Sequence, residues 1–135
     1  MIPTKLDFRV WSYYDKKYLP PEFKGSEIYI NAFGHIGYTN PKNDNPCLPQ
    51  DELEIELFTG FKDKNLAKIY EGDIVRFGKD EEIYRFVISF KNGCFNAIDE
   101  KECNIIPITL FRHSEHYTIL GNIHENPELL ESLEN

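Results

Sequence analysis

Residues 58–75 constrain the fold more than any other stretch, because they combine turn chemistry and strand chemistry within a short length. Thr59-Gly60 interrupts an apolar run, and the polar residues 63–65 favour a reversal, since Asp and Asn bond their own backbone and tolerate left-handed dihedral angles. Apolar character resumes at Ile69, and Gly72 can take the positive φ of a second reversal. The stretch therefore predicts a strand, a connection, a second strand and a turn into a third.

The residues before this stretch alternate between apolar and acidic side chains. Leu53, Ile55 and Leu57 are separated by Glu54 and Glu56, which is the period-2 pattern of a strand with one buried face and one solvated face. We therefore expect a strand here whose carboxylates lie in solvent.

The second half of the chain carries more strand signals. Apolar runs rich in β-branched and aromatic residues cover 74–77, 84–90, 94–98, 105–111 and 116–123. Asn92-Gly93, between two of these runs, is the strongest short signal for a β-hairpin. Short strands at this spacing predict a mainly β fold with a small SH3-like barrel. Asn126-Pro127 is typical of a helix start and predicts a short C-terminal helix.

Two subdomains follow from these patterns. Residues 1–57 form a β-rich N-terminal subdomain with a long loop at 39–50, and residues 58–135 form the SH3-like β-barrel subdomain with the terminal helix. The loop contains three prolines and has no strand or helix pattern. Loops of this length are usually functional or disordered, and composition leaves both alternatives open.

Charge and cysteine content narrow the functional classes. The chain has 135 residues and a formal net charge of -8, so its average surface repels phosphate backbones and anionic lipid. Its three cysteines form no C-x-x-C pair, which argues against a disulfide framework or a thiolate zinc site and favours a reduced cytosol. No apolar run approaches the roughly 20 residues of a membrane helix, and we expect no membrane partner.

Sequence motifs of known enzymes are missing. The chain contains no Gly-rich phosphate loop, G-x-S-x-G elbow or H-E-x-x-H helix. His113 and His116 could present two imidazoles to one metal from a helix, but the residues around them indicate a loop that enters a strand. We expect no enzyme and no catalytic, metal-binding or cofactor-binding residues, and a metal-dependent hydrolase using this histidine pair is the least favoured alternative.

One basic cluster stands out from the acidic chain. Lys62, Lys64 and Lys68 lie close in sequence to Phe61 and Tyr70. Lysines beside exposed aromatic rings can hold single-stranded nucleic acid through charge and stacking, whereas a solvated hairpin tip has the same composition. These five residues are the predicted contacts to a partner or to nucleic acid.

Three stretches together resemble the YopX family of phage and prophage proteins. They are Phe-Arg-Val-Trp at 8–11, the segments Thr-Gly-Phe-Lys-Asp-Lys-Asn at 59–65 and Ile-Tyr-Glu-Gly-Asp-Ile-Val at 69–75, and Gly-Asn-Ile-His-Glu-Asn-Pro-Glu-Leu-Leu at 121–130. The chain departs from the family at Ser12, where Asp is usual, and at Leu66, where Gly is usual. Because leucine makes a two-residue turn with positive φ costly, we expect a longer connection there.

The resemblance implies a β-rich, oligomeric protein of uncharacterised function that acts in the bacterial host cytoplasm, and it supplies no catalytic residues. We therefore expect a non-enzymatic phage accessory protein that forms a homo-oligomer and binds an unidentified phage or host protein. Nucleic-acid binding through residues 61–70 is the alternative.

Overall fold

A computed structural model of the chain describes residues 7–23, 25–39, 50–79, 82–99, 104–107 and 116–131. These residues are mainly β, with antiparallel strands and a short helix near the C-terminus, which confirms the predicted fold class. The strands are β1 (Phe8–Ser12), β2 (Lys17–Tyr18), β3 (Glu22–Phe23), β4 (Ser26–Ile30), β5 (Ile36–Tyr38), β6 (Leu53–Lys62), β7 (Lys68–Tyr70), β8 (Asp73–Lys79), β9 (Glu82–Lys91), β10 (Cys94–Asp99), β11 (Asn104–Pro107) and β12 (Tyr117–Asn122). The helix α1 spans Glu128–Glu131, and a 3-10 turn, Gln50–Glu52, precedes β6.

The sheet with the most strands among the described residues is five-stranded. Its order is β11-β10-β9-β8-β12, so β12 returns to pair with β8 while the other neighbours are consecutive in the chain. Asn92 and Gly93 turn the chain between β9 and β10 with φ angles of 55° and 78°, and Cys94 pairs with Lys91 across the turn. The predicted Asn-Gly hairpin is confirmed. The closure of these strands into an SH3-like barrel stays a prediction.

The hydrophobic core lies on one face of this sheet. It contains Ile69, Val75, Phe86, Ile88, Ala97 and Tyr117. Val75 lies directly opposite Phe86, and directly opposed residues of an antiparallel pair share a face. Ile69, Ile74 and Val75, which belong to the stretch 58–75, are all buried.

The central stretch forms the β6–β7 hairpin and the turn into β8. Lys62 lies opposite Lys68 in this hairpin, and residues 63–67 connect the two strands. Leu66 has a φ of 66°, in the left-handed region that side chains larger than hydrogen rarely adopt. The connection is longer than two residues, as the leucine at this position predicts.

A three-stranded sheet of order β3-β4-β5 forms near the N-terminus. In the β4–β5 hairpin Ile28 lies opposite Tyr38 and Ile30 lies opposite Ile36, which leaves residues 31–35 as the turn. The remaining sheet has the order β2-β1-β6-β7.

Contacts divide the chain into two compact units, residues 9–55 and residues 1–8 with 56–135. Strands β1 and β6 each continue across the boundary between them. The division into subdomains 1–57 and 58–135 stays a prediction, and residues 40–49 of the predicted long loop lie outside the described residues. In the described part of the chain no helix is long and apolar enough to cross a membrane.

Candidate functional site

The lysines predicted to contact a partner lie around the β6–β7 hairpin. Lys62 and Lys68 face each other across the two strands, and both are exposed. Lys64 is exposed in the connecting turn, where its backbone N–H donates a 2.9 Å hydrogen bond to the carbonyl oxygen of Tyr117. The hairpin therefore brings the three ammonium-bearing residues together on one element.

Lys68 has internal partners. Its ammonium forms an ion pair with Asp7 and lies 5.3 Å from the centre of the Phe58 ring. The Tyr70 hydroxyl donates a 3.0 Å hydrogen bond to the other Asp7 carboxylate oxygen. Phe61 is half-buried and packs against the hydrophobic core, so its ring is less available for stacking than the sequence suggests. Whether this cluster contacts a partner stays a prediction.

Asp63, whose sequence context indicates only a turn residue, is buried, and its carboxylate accepts hydrogen bonds from backbone N–H groups. One carboxylate oxygen accepts hydrogen bonds from the N–H groups of Asn65 at 2.8 Å and Ala67 at 2.9 Å. The other oxygen accepts from the N–H of Ile119 in β12 at 3.1 Å. A single carboxylate therefore shapes the β6–β7 connection and attaches it to the five-stranded sheet.

Glu56 corrects the alternation predicted for β6. Its side chain was expected in solvent but is only 1% exposed, and its Oε2 lies 3.1 Å from the Nε2 of His124. A buried carboxylate needs hydrogen bonds to offset the loss of water, and the imidazole of a distant residue provides one. The prediction for Glu56 was wrong because period-2 patterning shows which face a residue is on but not what covers that face.

Gly72 lies against this buried pair. Its φ is 86°, and a Cβ at this position would come within 3.0 Å of the Glu56 Cδ and closer still to Oε2. The backbone of Gly72 also accepts a 3.0 Å hydrogen bond from the N–H of Ile123. Two of the stretches that carry the family resemblance, 69–75 and 121–130, therefore contact each other around Glu56. We call this set of contacts between Glu56, Gly72, Ile123 and His124 the lock.

Asparagine and aspartate side chains complete the lock. The buried Asp73 carboxylate accepts a 2.7 Å hydrogen bond from the N–H of Tyr70. Asn122 Oδ1 accepts from the N–H groups of His124 and Glu125 at 3.0 and 2.8 Å. These polar groups are satisfied by the fold itself, so the most recognisable residues of the sequence have structural roles.

Metal-ligating residues form no group of three or more within the described ranges. His116 packs edge-on against Phe77, with ring centres 5.8 Å apart, and His113 lies outside the described residues. Burial raises the pKa of the Tyr117 phenol to about 12, which keeps this hydroxyl protonated at physiological pH.

A cavity of about 280 Å³ opens in the unit of residues 9–55. Its apolar walls include Leu19, Pro20, Phe23 and Leu53, and the charged residues Asp15, Lys17 and Glu52 also contribute to the lining. The Tyr38 hydroxyl donates a 2.6 Å hydrogen bond to the Pro20 carbonyl oxygen, which joins two of the lining residues. No local sequence pattern indicates this cavity, because its residues come from separate segments.

The same unit carries exposed aromatic side chains. Tyr14 is 78% exposed in the turn between β1 and β2, and Phe33 is 87% exposed in the turn between β4 and β5. Phe23 lines the cavity and is also more than half exposed. The apolar residues 28–30 and 33–38 predict two short strands joined at Asn31 or around Gly34. In the structure the second strand begins only at Ile36, so Phe33 lies in the turn, between the two residues that signal it.

The turn that holds Phe33 is well organised. The Asn31 side chain accepts hydrogen bonds from the N–H groups of Phe33 and His35, each at 2.9 Å. The Asn31 backbone donates to the His35 carbonyl oxygen at 3.0 Å and accepts from the Gly34 N–H at 2.9 Å. The Phe33 ring therefore projects from a turn whose backbone is fixed by four hydrogen bonds.

Comparisons with known proteins give a consistent family and fold. A family model described as YopX protein matches residues 7–131. The fold is similar to the crystal structure of protein EF1440 from Enterococcus faecalis, with 26% identity, a TM-score of 0.57, and coverage of 93% of this chain and 97% of that one. It is also similar to the crystal structure of protein YopX from Bacillus subtilis, with 17% identity, a TM-score of 0.63, and coverage of 93% and 98%. No curated protein matches the chain at a significant level.

Proposed function

Because this chain belongs to the YopX family, whose model matches residues 7–131, we propose that it is a non-enzymatic phage or prophage accessory protein that assembles as a homo-oligomer and binds another protein. The resemblance to that family supports the phage setting and the bacterial cytoplasm as the place of action. The description of the matched family names no enzymatic activity.

Exposed aromatic side chains in the unit of residues 9–55 are the observation that carries this proposal. Large aromatic rings in solvent are the side chains most enriched at the centres of protein interfaces, because they bury much area for little conformational entropy. Tyr14 and Phe33 are both more than three-quarters exposed. Two such side chains, together with an apolar cavity that Tyr14 lines, favour a protein-binding surface over a purely solvated one.

Light scattering coupled to size-exclusion chromatography tests the assembly. We expect a mass that is a multiple of the 15.9 kDa chain and that falls on dilution. A mass of one chain at the highest concentration that stays soluble would contradict the homo-oligomer. Affinity capture from induced host cells, with a Tyr14→Ala, Phe33→Ala double variant as control, tests the binding of another protein.

Nucleic-acid binding is the second candidate, and the cross-strand pair of Lys62 and Lys68 favours it. Since Lys68 is already paired with Asp7, binding would depend on Lys62 and Lys64. Filter binding of single-stranded DNA at low salt, with a Lys62→Ala, Lys64→Ala double variant as control, tests it. Equal retention of the two proteins would contradict a role for these lysines.

A further inference from the structure

We propose that the Phe33 turn of one copy inserts its ring into the cavity between Leu19, Phe23 and Leu53 of a second copy. This inference rests on the proposed homo-oligomer and names the contact that would hold it. The two halves of the contact belong to the same unit, residues 9–55, so every copy carries both.

The Phe33 turn has the properties of an interface anchor. Its ring is 87% exposed, and its backbone is fixed by hydrogen bonds to both the side chain and the main chain of Asn31. An anchor that is already held in its bound conformation loses little entropy on binding. The ring of His35 lies 6.3 Å from that of Phe33 and adds a second planar group to the turn.

The cavity has a size that suits one side chain. At about 280 Å³ it has room for a phenyl ring, since an apolar cavity of roughly 150 Å³ already binds benzene. Apolar walls from Leu19, Phe23 and Leu53 match a phenyl ring, since aromatic anchors gain most when they fill a desolvated apolar pocket. The cavity can therefore accept a protruding aromatic side chain.

The hairpin geometry excludes insertion within one copy. Tyr38 lines the cavity and lies at the base of the β4–β5 hairpin, opposite Ile28, whereas Phe33 lies in the turn at the other end. The paired strand β5 separates the two ends by roughly 10 Å, at about 3.3 Å per residue. Because the strands are hydrogen-bonded along this length, the ring can reach a cavity only on another molecule.

Charge favours this turn over the carboxylate-bearing parts of the chain as the occupant. Asp15 and Glu52 line the cavity together with Lys17, and a carboxylate brought against the two acidic residues is repelled. The chain has a formal net charge of -8, but the turn at residues 31–35, Asn-Ala-Phe-Gly-His, contains no carboxylate. The turn can therefore approach the cavity without the repulsion that most of this chain's surface would bring.

Sedimentation equilibrium of three full-length variants tests the contact. Phe33→Ala removes the anchor, Tyr14→Glu adds a carboxylate to the cavity, and Leu66→Ala removes an apolar side chain of similar exposure from the β6–β7 connection as a matched control. Loss of a central aromatic anchor weakens association by at least about 30-fold. We expect that loss for Phe33→Ala and Tyr14→Glu and no change for Leu66→Ala, with circular dichroism melts of all three close to wild type.

Mixing the two defective variants tests the pairing itself. Phe33→Ala retains an intact cavity and Tyr14→Glu retains an intact turn, so an equimolar mixture should associate more tightly than either variant alone. Failure of the mixture to recover would overturn the insertion of the turn into the cavity. If the wild-type protein assembles and both variants assemble equally well, this inference alone is overturned. If the wild-type protein is a monomer, the proposed homo-oligomer is overturned as well.

Discussion

Gly72 is restricted in two independent ways. Its φ of 86° is disfavoured for any residue with a Cβ, and the space beside its Cα is occupied by the Glu56 carboxylate. Glu56 cannot move aside easily, because it is buried and bonded to His124. Gly60 provides a natural comparison, since its φ is 90° and a Cβ there would meet no atom within 4 Å.

Substitution of these two glycines by alanine separates strain from steric overlap. Gly60→Ala should destabilise the fold by about 1 kcal/mol through the left-handed backbone alone. Gly72→Ala should cost about 2–4 kcal/mol, because overpacking against a buried polar pair adds to the same strain. Urea denaturation of both variants measures the difference. Equal losses of unfolding free energy in the two variants would show that the Glu56 carboxylate moves aside without destabilising the fold. That result would contradict the lock.

Tyr117 predicts a loss of stability at alkaline pH. Burial raises the pKa of its phenol to about 12, whereas an unfolded tyrosine titrates near pH 10. The folded state holds the proton more tightly, so this contribution is complete below pH 10 and is lost as the pH rises towards 12. The free energy of unfolding should fall by about 1 kcal/mol from this group between pH 9 and pH 11.

The Tyr117→Phe variant is the matched control for this titration. It keeps the ring in the core but has no ionisable proton, so its stability should fall less than that of wild type over the same pH range. Denaturant titrations of both proteins at pH 9 and pH 11 give the comparison. Equal losses of unfolding free energy in the two proteins between pH 9 and pH 11 would mean that groups other than Tyr117 account for the pH dependence.

Residue-level prediction from the sequence succeeded where local backbone chemistry decides the outcome. The positive φ of Gly72 and of Asn92-Gly93 follows from turn chemistry that neighbouring residues impose. The burial of Glu56 was missed because its partner, His124, is 68 residues away, and no local pattern reports such a contact. The lysine cluster follows from composition, but the pairing of Lys68 with Asp7 again depends on a distant residue.

At the level of elements, the β6–β7 connection is hydrogen-bonded both internally and to strand β12. Asp63 accepts hydrogen bonds from two N–H groups of its own turn and from the N–H of Ile119. The N–H of Lys64 donates in the opposite direction, to the Tyr117 carbonyl oxygen. Because these bonds run both ways between a hairpin turn and a strand, the two elements should open together.

Removal of the Asp63 carboxylate should loosen β12. Asp63→Ala leaves backbone N–H groups in the turn without their charged acceptor, and we expect a loss of about 3 kcal/mol, since hydrogen bonds to charged groups contribute roughly 1.5–3 kcal/mol each and are not additive. Hydrogen exchange should show faster exchange at the Ile119 amide.

Asp15→Ala is the control for this variant. It removes an exposed carboxylate that accepts a hydrogen bond from the Ser12 hydroxyl, and it should change stability by less than about 1 kcal/mol. Unchanged protection of Ile119 would contradict the attachment.

The presence of the strands was predictable from the sequence, but the surface that the strands form together was not. Alternation and the Asn-Gly turn identify β8, β9, β10 and β12 because each signal lies within one segment. The cavity collects residues from β1 through β6, and its formation depends on how separate strands pair. The Phe33 turn was assigned to a strand because the apolar character of residues 33–38 outweighed its Asn and Gly signals.

At the scale of the whole molecule, charge distinguishes the two candidate functions. The chain carries a formal net charge of -8, so two copies repel each other and salt reduces that repulsion. Nucleic-acid binding has the opposite dependence, because each lysine that contacts a phosphate releases a counterion and salt opposes the release.

Salt titration of both activities should therefore give opposite slopes. Between about 50 and 200 mM salt, self-association should tighten by a few-fold as the repulsion between acidic copies is screened. Binding of single-stranded DNA by Lys62 and Lys64 should weaken by about 7-fold over the same range. Sedimentation and filter binding on one protein preparation measure both. If self-association instead weakens with salt, opposite charges meet across the interface, and the carboxylate-free Phe33 turn would not be the surface that brings the copies together.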